Sequence, residues 1–128
     1  MKPLIALHFF LMLFIANFSC AQSADKLDAP AFSKAMKASP NGIILDVRSE
    51  AEFREVRMAK ALNINYNAPD FMDQVAKLDK KKDIFVYCAG GVRSARAAEL
   101  MRANGFKHVI ELKGGLQSWQ QAGLPLEK

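Results

Sequence analysis

The sequence predicts an α/β fold with a mostly parallel sheet. Three observations carry that expectation. Short apolar runs of strand length recur at Ile43–Val47, Ile84–Tyr87 and Val109–Leu112. A fourth segment, Ala61–Tyr66, alternates apolar and polar residues. Between these segments lie stretches whose apolar residues recur at helical spacing, which implies parallel strands joined by right-handed helical crossovers.

Each element follows from local chemistry. Asp28 can cap a helix whose early Pro30 is tolerated in the first turn. Phe32, Ala35 and Met36 form its apolar stripe, and Pro40-Asn41-Gly42 ends it. Ile43 to Val47 then reads as a buried strand. Ser49 and Glu52 have capping-box spacing and start a short helix. In the next strand Leu62, Ile64 and Tyr66 alternate with Asn63 and Asn65. Asn67 and Pro69 open a helix with Phe71, Met72, Val75 and Leu78 on one face. Lys80, Lys81 and Lys82 form a solvated turn. Asp79 and Asp83 flank it and no aromatic is interleaved, so no nucleic-acid partner is expected.

Ile84–Tyr87 is the most strand-like segment and is expected at the centre of the sheet. Cys88 ends it, Gly90 and Gly91 form a loop, and a helix runs to about Asn104. Ala97, Leu100 and Met101 are expected to face inward, with Arg96, Glu99 and Arg102 facing water. Gly105 stops this helix. After the strand Val109–Leu112, Gly114-Gly115 turns into a last helix carrying Leu116 and Trp119, closed by Gly123. The first and last helices are expected on one face of the sheet.

The chain has 128 residues, 51% hydrophobic and 24% charged, with a net charge of +5. That composition is ordinary for one globular domain that needs no staples. The first residues are read apart from the fold. Lys2 precedes an apolar run from Leu4 to Phe18, which is shorter than the ~20 residues of a membrane span. Small residues Ser19, Cys20 and Ala21 follow. Residues 1–21 are therefore expected to be a signal peptide, residues 22–26 a linker, and residues 27–128 the domain. The alternatives are lipidation at Cys20, which would attach the protein to a membrane, or a retained anchor. In each case the folded part is expected to be exported, to a bacterial periplasm.

The two cysteines exclude a disulfide framework. Two histidines, His8 and His108, are too few for a dedicated zinc site, and no metal or organic cofactor is expected. Past the leader, Cys88 and His108 are each the single residue of their kind. An unpaired thiol in an exported protein calls for an explanation.

Cys88-Ala89-Gly90-Gly91-Val92-Arg93-Ser94 lies between the best strand and the helix after it. Ligands of open α/β sheets bind outside the carboxyl ends of the strands. A glycine-rich loop feeding a helix N-terminus turns several backbone N–H groups toward one point. A thiolate in that cradle is stabilised, so its pKa should fall below the free value of roughly 8.5. Arg93 can add charge to the rim or clamp an oxyanion bidentately. Such a site needs no histidine base. A small buried hydrophobe is the bland reading of Cys88. A Cys88–His108 pair is the other alternative, and His108 reads as a surface turn residue.

Here the chain resembles the rhodanese-like family of sulfurtransferases. The matching pieces are Leu45-Asp46-Val47-Arg48, Glu52-Phe53, Ala61-Leu62-Asn63-Ile64, the Cys88 loop, Gly105-Phe106, and Leu112-Lys113-Gly114-Gly115 with Trp119. The resemblance covers about Leu27 to Lys128. It implies a central parallel five-stranded sheet flanked by helices. It also implies that Cys88 accepts a sulfane sulfur from a small anionic donor such as thiosulfate. The persulfide would pass to a thiophilic acceptor or a partner protein thiol. Ala89, Gly90, Gly91, Val92, Arg93 and Ser94 would line the loop, and Asp46 and Arg48 would support it. A helix-entry or surface ion pair is the other reading of Asp46 and Arg48, and Glu52 reads as a capping residue.

Four residues separate Cys88 from Arg93, where the related phosphatases have five, which favours a sulfur atom over phosphate. Two departures stand out. Val56-Arg57-Met58-Ala59-Lys60-Ala61 replaces the family's Gly-His-Ile-Pro-Gly-Ala. Ala89 stands where thiosulfate-using members often carry arginine. A non-catalytic binding module and a thiol-exchange redox protein are the alternative functions.

Overall fold

The computed structural model describes residues 25–128. The expectations for the leader, for Cys20 and for residues 22–24 lie outside the described residues. Among the described residues five strands and five helices alternate. They are β1 (Lys26–Leu27), α1 (Ala29–Ala38), β2 (Ile43–Asp46), α2 (Glu50–Glu55), β3 (Leu62–Asn63), α3 (Phe71–Val75), β4 (Ile84–Tyr87), α4 (Val92–Ala103), β5 (Val109–Leu112) and α5 (Gly115–Gln121). All strand pairs are parallel, in the order β1-β5-β4-β2-β3. The fold class read from the sequence is the one observed.

β4 lies at the centre, and each of its residues is buried. Its period-two geometry splits the core in two. Ile84, Val86 and Cys88 join the cluster with Val75, Ala97, Ala98 and Met101 from α3 and α4. Phe85 and Tyr87 join the other, with Phe32 from α1 and Leu116 and Trp119 from α5. The first and last helices therefore share a face. There Phe32 meets Phe85 and Trp119 edge-on, with ring centroids 5.5 and 6.3 Å apart. Such pairs add about 0.5–1.5 kcal/mol each to the burial itself.

The capping signals act as the sequence implies. The Asp28 carboxylate accepts from the N–H of Ala31 at 3.0 Å, and Pro30 sits in the first turn of α1. The Ser49 hydroxyl accepts from the N–H of Glu52 at 3.2 Å.

Four details differ from the sequence reading. Lys26, assigned to the linker, pairs with Glu111 in β1, and a two-residue edge strand leaves no periodicity to read. The segment Ala61–Tyr66 forms a regular ladder only at Leu62–Asn63, although Ile64 and Tyr66 still donate to the carbonyls of Asp46 and Val47 at 3.0 Å. Leu62 is exposed because β3 is the opposite sheet edge. The helix at Phe71 ends at Val75, though Phe71 and Val75 are buried as expected. On α4 the inward residues are Ala97, Ala98 and Met101, while Leu100 is exposed.

Candidate functional site

Parallel topology brings the ends of β2, β4 and β5 to one side of the sheet, and Cys88 follows the last residue of β4. Gly91 takes φ +105°, a left-handed conformation that a glycine adopts without strain, and so turns the chain into α4. The turn brings the Gly91 N–H to 3.0 Å from the Cys88 sulfur. The Ser94 hydroxyl, from the first turn of α4, lies 3.2 Å from the same sulfur. It also lies 3.2 Å from the Gly91 carbonyl. One hydroxyl proton has two acceptors there, and a thiolate is the stronger of them.

Cys88 is only 1% exposed. Burial pushes its thiol up, since it disfavours the charged form. The Ser94 hydroxyl and the N–H groups of Ser94, Gly91 and Gly90 outweigh burial and hold the thiol below its ordinary value. The hydrogen-bond donors to the sulfur are thus all neutral.

A second double-glycine turn props this loop from behind. The carbonyls of Cys88 and Ala89 accept from the N–H groups of Leu116 and Gln117 at 2.8 and 3.1 Å. A Cβ on Gly115 would sit 2.5 Å from the Ala89 oxygen and 2.6 Å from the Cys88 oxygen. Nothing lies within 4 Å of a Cβ placed on Gly90. The Cys88 loop is therefore packed beneath and open above. Val92 is 64% exposed at that outer edge.

Two arginine forks flank the site. Arg48 donates through Nε and a terminal nitrogen to Asp46 at 2.7–3.1 Å, and its backbone N–H donates to Asp46 at 2.9 Å. The same terminal nitrogen reaches the Val56 carbonyl at 2.6 Å. Asp46 and Arg48 are 0% and 4% exposed. The carbonyls of both also accept from the Asn63 amide. Burial alone would lower the Arg48 pKa, but the Asp46 carboxylate overrides it and the guanidinium stays charged. The pair thus ties the end of β2 to β3 and to the chain after α2. Their burial replaces the surface reading of this pair with a buried one, and among the described residues no hydrogen bond joins either to Cys88.

The second fork joins Arg93 to Glu52, at 2.8 and 3.0 Å. The pairing holds the Glu52 carboxyl down to about 2. The Arg93 pKa is raised, first by Glu52 and then by its closeness to Cys88. The oxyanion clamp expected of Arg93 is therefore occupied by a carboxylate of the chain itself. Glu52 was legible as a capping-box residue, and its N–H does donate to the Ser49 cap of α2. Its partner 41 positions later could be found only once the topology set α2 beside the start of α4.

His108 is exposed, and its carbonyl accepts from the N–H of Ile84, the first residue of β4. Cys88 lies beyond the other end of β4, ~13 Å away at 3.3 Å per residue. A Cys88–His108 pair is therefore excluded. Among the described residues no group of three or more His, Cys, Asp or Glu is placed to hold a metal.

The turn at residues 56–61, which departs from the family pattern, bears one left-handed residue and two tethers. Lys60 adopts φ +64°, a conformation that suits glycine better. Met58 is buried, and its N–H donates to the Tyr87 hydroxyl at 3.1 Å. Arg57 forms a bridge with Glu127 near the end of the chain.

Comparison with known proteins agrees with this fold. Residues 28–122 match the Rhodanese-like domain family. The chain is 24% identical over 102 residues to a protein named sulfurtransferase from Allochromatium vinosum, covering 80% of this chain and 94% of that one. It is 37% identical over 90 residues to a tRNA uridine(34) hydroxylase from Cytophaga hutchinsonii. That match covers 68% of this chain but spans only 29% of the relative's length. The crystal structure of a rhodanese-related protein from Thermoplasma volcanium superposes with a TM-score of 0.71 at 29% identity, covering 80% of this chain and 96% of that one. The chain belongs to the rhodanese-like domain family.

Proposed function

We propose that the protein is a sulfurtransferase that carries sulfane sulfur as a persulfide on Cys88. The observation that carries this reading is the cradle of the Cys88 sulfur, held by the Gly91 N–H and the Ser94 hydroxyl at a helix N-terminus. That arrangement holds the thiol below its ordinary pKa and so raises the share of thiolate, which is the nucleophile. It attacks the sulfane sulfur of a donor, one S–S bond forms as another breaks, and the donor's remainder leaves. A thiophilic acceptor then attacks the outer sulfur and regenerates the Cys88 thiolate. Ala89 to Ser94 line the loop around the outer sulfur, and the loop N–H groups donate to its negative charge. Asp46 and Arg48 act through the frame, as positioning residues. Thiosulfate is one donor to test, and a thiol of a partner protein is one acceptor.

The test is an intact mass of the full chain after incubation with a donor. The expected result is a gain of one sulfur atom, removable by cyanide and absent from Cys88→Ser. No adduct from thiosulfate, mercaptopyruvate or polysulfide overturns the reading and leaves a binding module in its place.

A further inference from the structure

Both arginines beside the Cys88 loop are committed to carboxylates, Arg48 to Asp46 and Arg93 to Glu52. The residue after Cys88 is Ala89, which supplies no charge. The groups bonded to the sulfur are neutral, an N–H group and a hydroxyl. That matters for the donor. Thiosulfate arrives as a dianion and releases sulfite, whose oxygens call for a free guanidinium or ammonium group. A persulfide on a small thiol releases only a thiol and makes no such demand.

Glu52 is built to keep Arg93 where it is. Both carboxylate oxygens meet both terminal nitrogens, which fixes the plane of the guanidinium as well as its position. The Ser49 hydroxyl donates to Oε1 at 3.1 Å and fixes the carboxylate in turn. Arg93 remains 26% exposed and Glu52 36% exposed, so the fork sits on the rim, not in the core.

We propose that Glu52 is a specificity-determining positioning residue. By clamping Arg93 it sets the Cys88 loop to take sulfur from persulfides of low net charge in preference to thiosulfate. The inference rests on the reading of Cys88 as the sulfur carrier. In the preferred step the Cys88 thiolate attacks the terminal sulfur of R–S–SH. The donor S–S bond breaks as a new one forms on Cys88, and the terminal proton passes to the departing thiolate. The products are Cys88–S–S⁻ and RSH, with no oxidant or reductant required.

The experiment compares second-order rates of Cys88 persulfide formation, read by intact mass, from thiosulfate and from cysteamine persulfide, which reacts as its R–S–SH form and carries no sulfonate oxygens. The full chain and its Glu52→Gln variant are used. Gln retains an acceptor for Ser49 and the same backbone cap, so α2 is preserved. Freeing Arg93 should raise the thiosulfate-to-persulfide rate ratio about tenfold, the size of one charge-assisted hydrogen bond. Adding Arg93→Gln should abolish that rise. A purely structural role for the fork would change both rates together. A ratio that stays constant or falls in Glu52→Gln overturns the inference while leaving Cys88 as carrier. Failure of the unmodified chain to load from either donor overturns the carrier reading itself.

Discussion

The two arginine forks have similar chemistry in different settings. Arg48–Asp46 is buried and holds together three segments, the end of β2, the chain after α2 and, through Asn63, β3. Arg93–Glu52 lies on the rim and links two helix starts, one of which bears the loop around Cys88. Burial decides what each can do. A buried ion pair must stay paired, because a lone charge in the interior is costly. A rim pair contributes little to stability and is free to influence what approaches. The first fork is a frame, and the second is a local setting of charge.

Breaking the frame is expected to give the largest effect. Arg48→Ala leaves the Asp46 carboxylate, 0% exposed, without its cation. Loss of one partner of a buried pair costs about 3–5 kcal/mol. Urea unfolding of the variant should register that loss. Replacing both members, Asp46→Leu with Arg48→Met, should recover a substantial part of it. A cost below about 1 kcal/mol for Arg48→Ala would put this fork in the same class as the rim pair.

The contrast between the forks also marks what the sequence could reveal. The central strand, the capping residues Asp28 and Ser49, and the Cys88 loop were legible because each signal lies within a few residues. Cys88 stood out because a strand, two glycines and a helix converge on it. The short edge strand β1 and the truncated β3 were not, since neither is long enough to carry a pattern. Leu100 was placed inward and Ala98 was not, because a helix of small apolar residues leaves the buried stripe ambiguous by one position. The link between Glu52 and Arg93 depends on topology. No periodicity connects two residues on separate helices, and the capping role of Glu52 already accounted for it. Gly114 and Gly115 read as a turn, and only the close approach of Gly115 to the Ala89 carbonyl explains why a side chain is excluded there.

Between frame and rim lies Ser94, buried and bonded to the Cys88 sulfur. Its hydroxyl is the chief group lowering the Cys88 pKa. Ser94→Ala removes that bond while keeping the N–H of residue 94 and the α4 backbone. The Cys88 pKa should then rise, and the pH midpoint of its alkylation by iodoacetamide should move upward. Persulfide formation at neutral pH should slow about tenfold, matching the loss of one hydrogen bond to a charged group. A midpoint unchanged by the substitution would mean that the loop N–H groups alone set the thiolate.

The smallest effect belongs to the rim, where the sign of the pH dependence separates the two forks. Glu52 is held down to about 2 from an ordinary 4.5, chiefly by its bonds to Arg93. Its folded-state pKa is depressed, so its stabilisation is fully present above 4.5 and is lost as pH falls toward about 2. Glu52 and Arg93 are 36% and 26% exposed, and solvent screening limits the contribution to under about 1 kcal/mol. The stability difference between the parent chain and Glu52→Gln should therefore be small at neutral pH and shrink across that acid window. It should also shrink with added salt, because an exposed pair is screened and a buried one much less so. The penalty of Arg48→Ala should respond far less to salt. A Glu52→Gln difference that is large, and flat from pH 4.5 down to 2, would show that this fork too is part of the frame. Its carboxylate could then no longer be assigned to tuning the charge around Cys88.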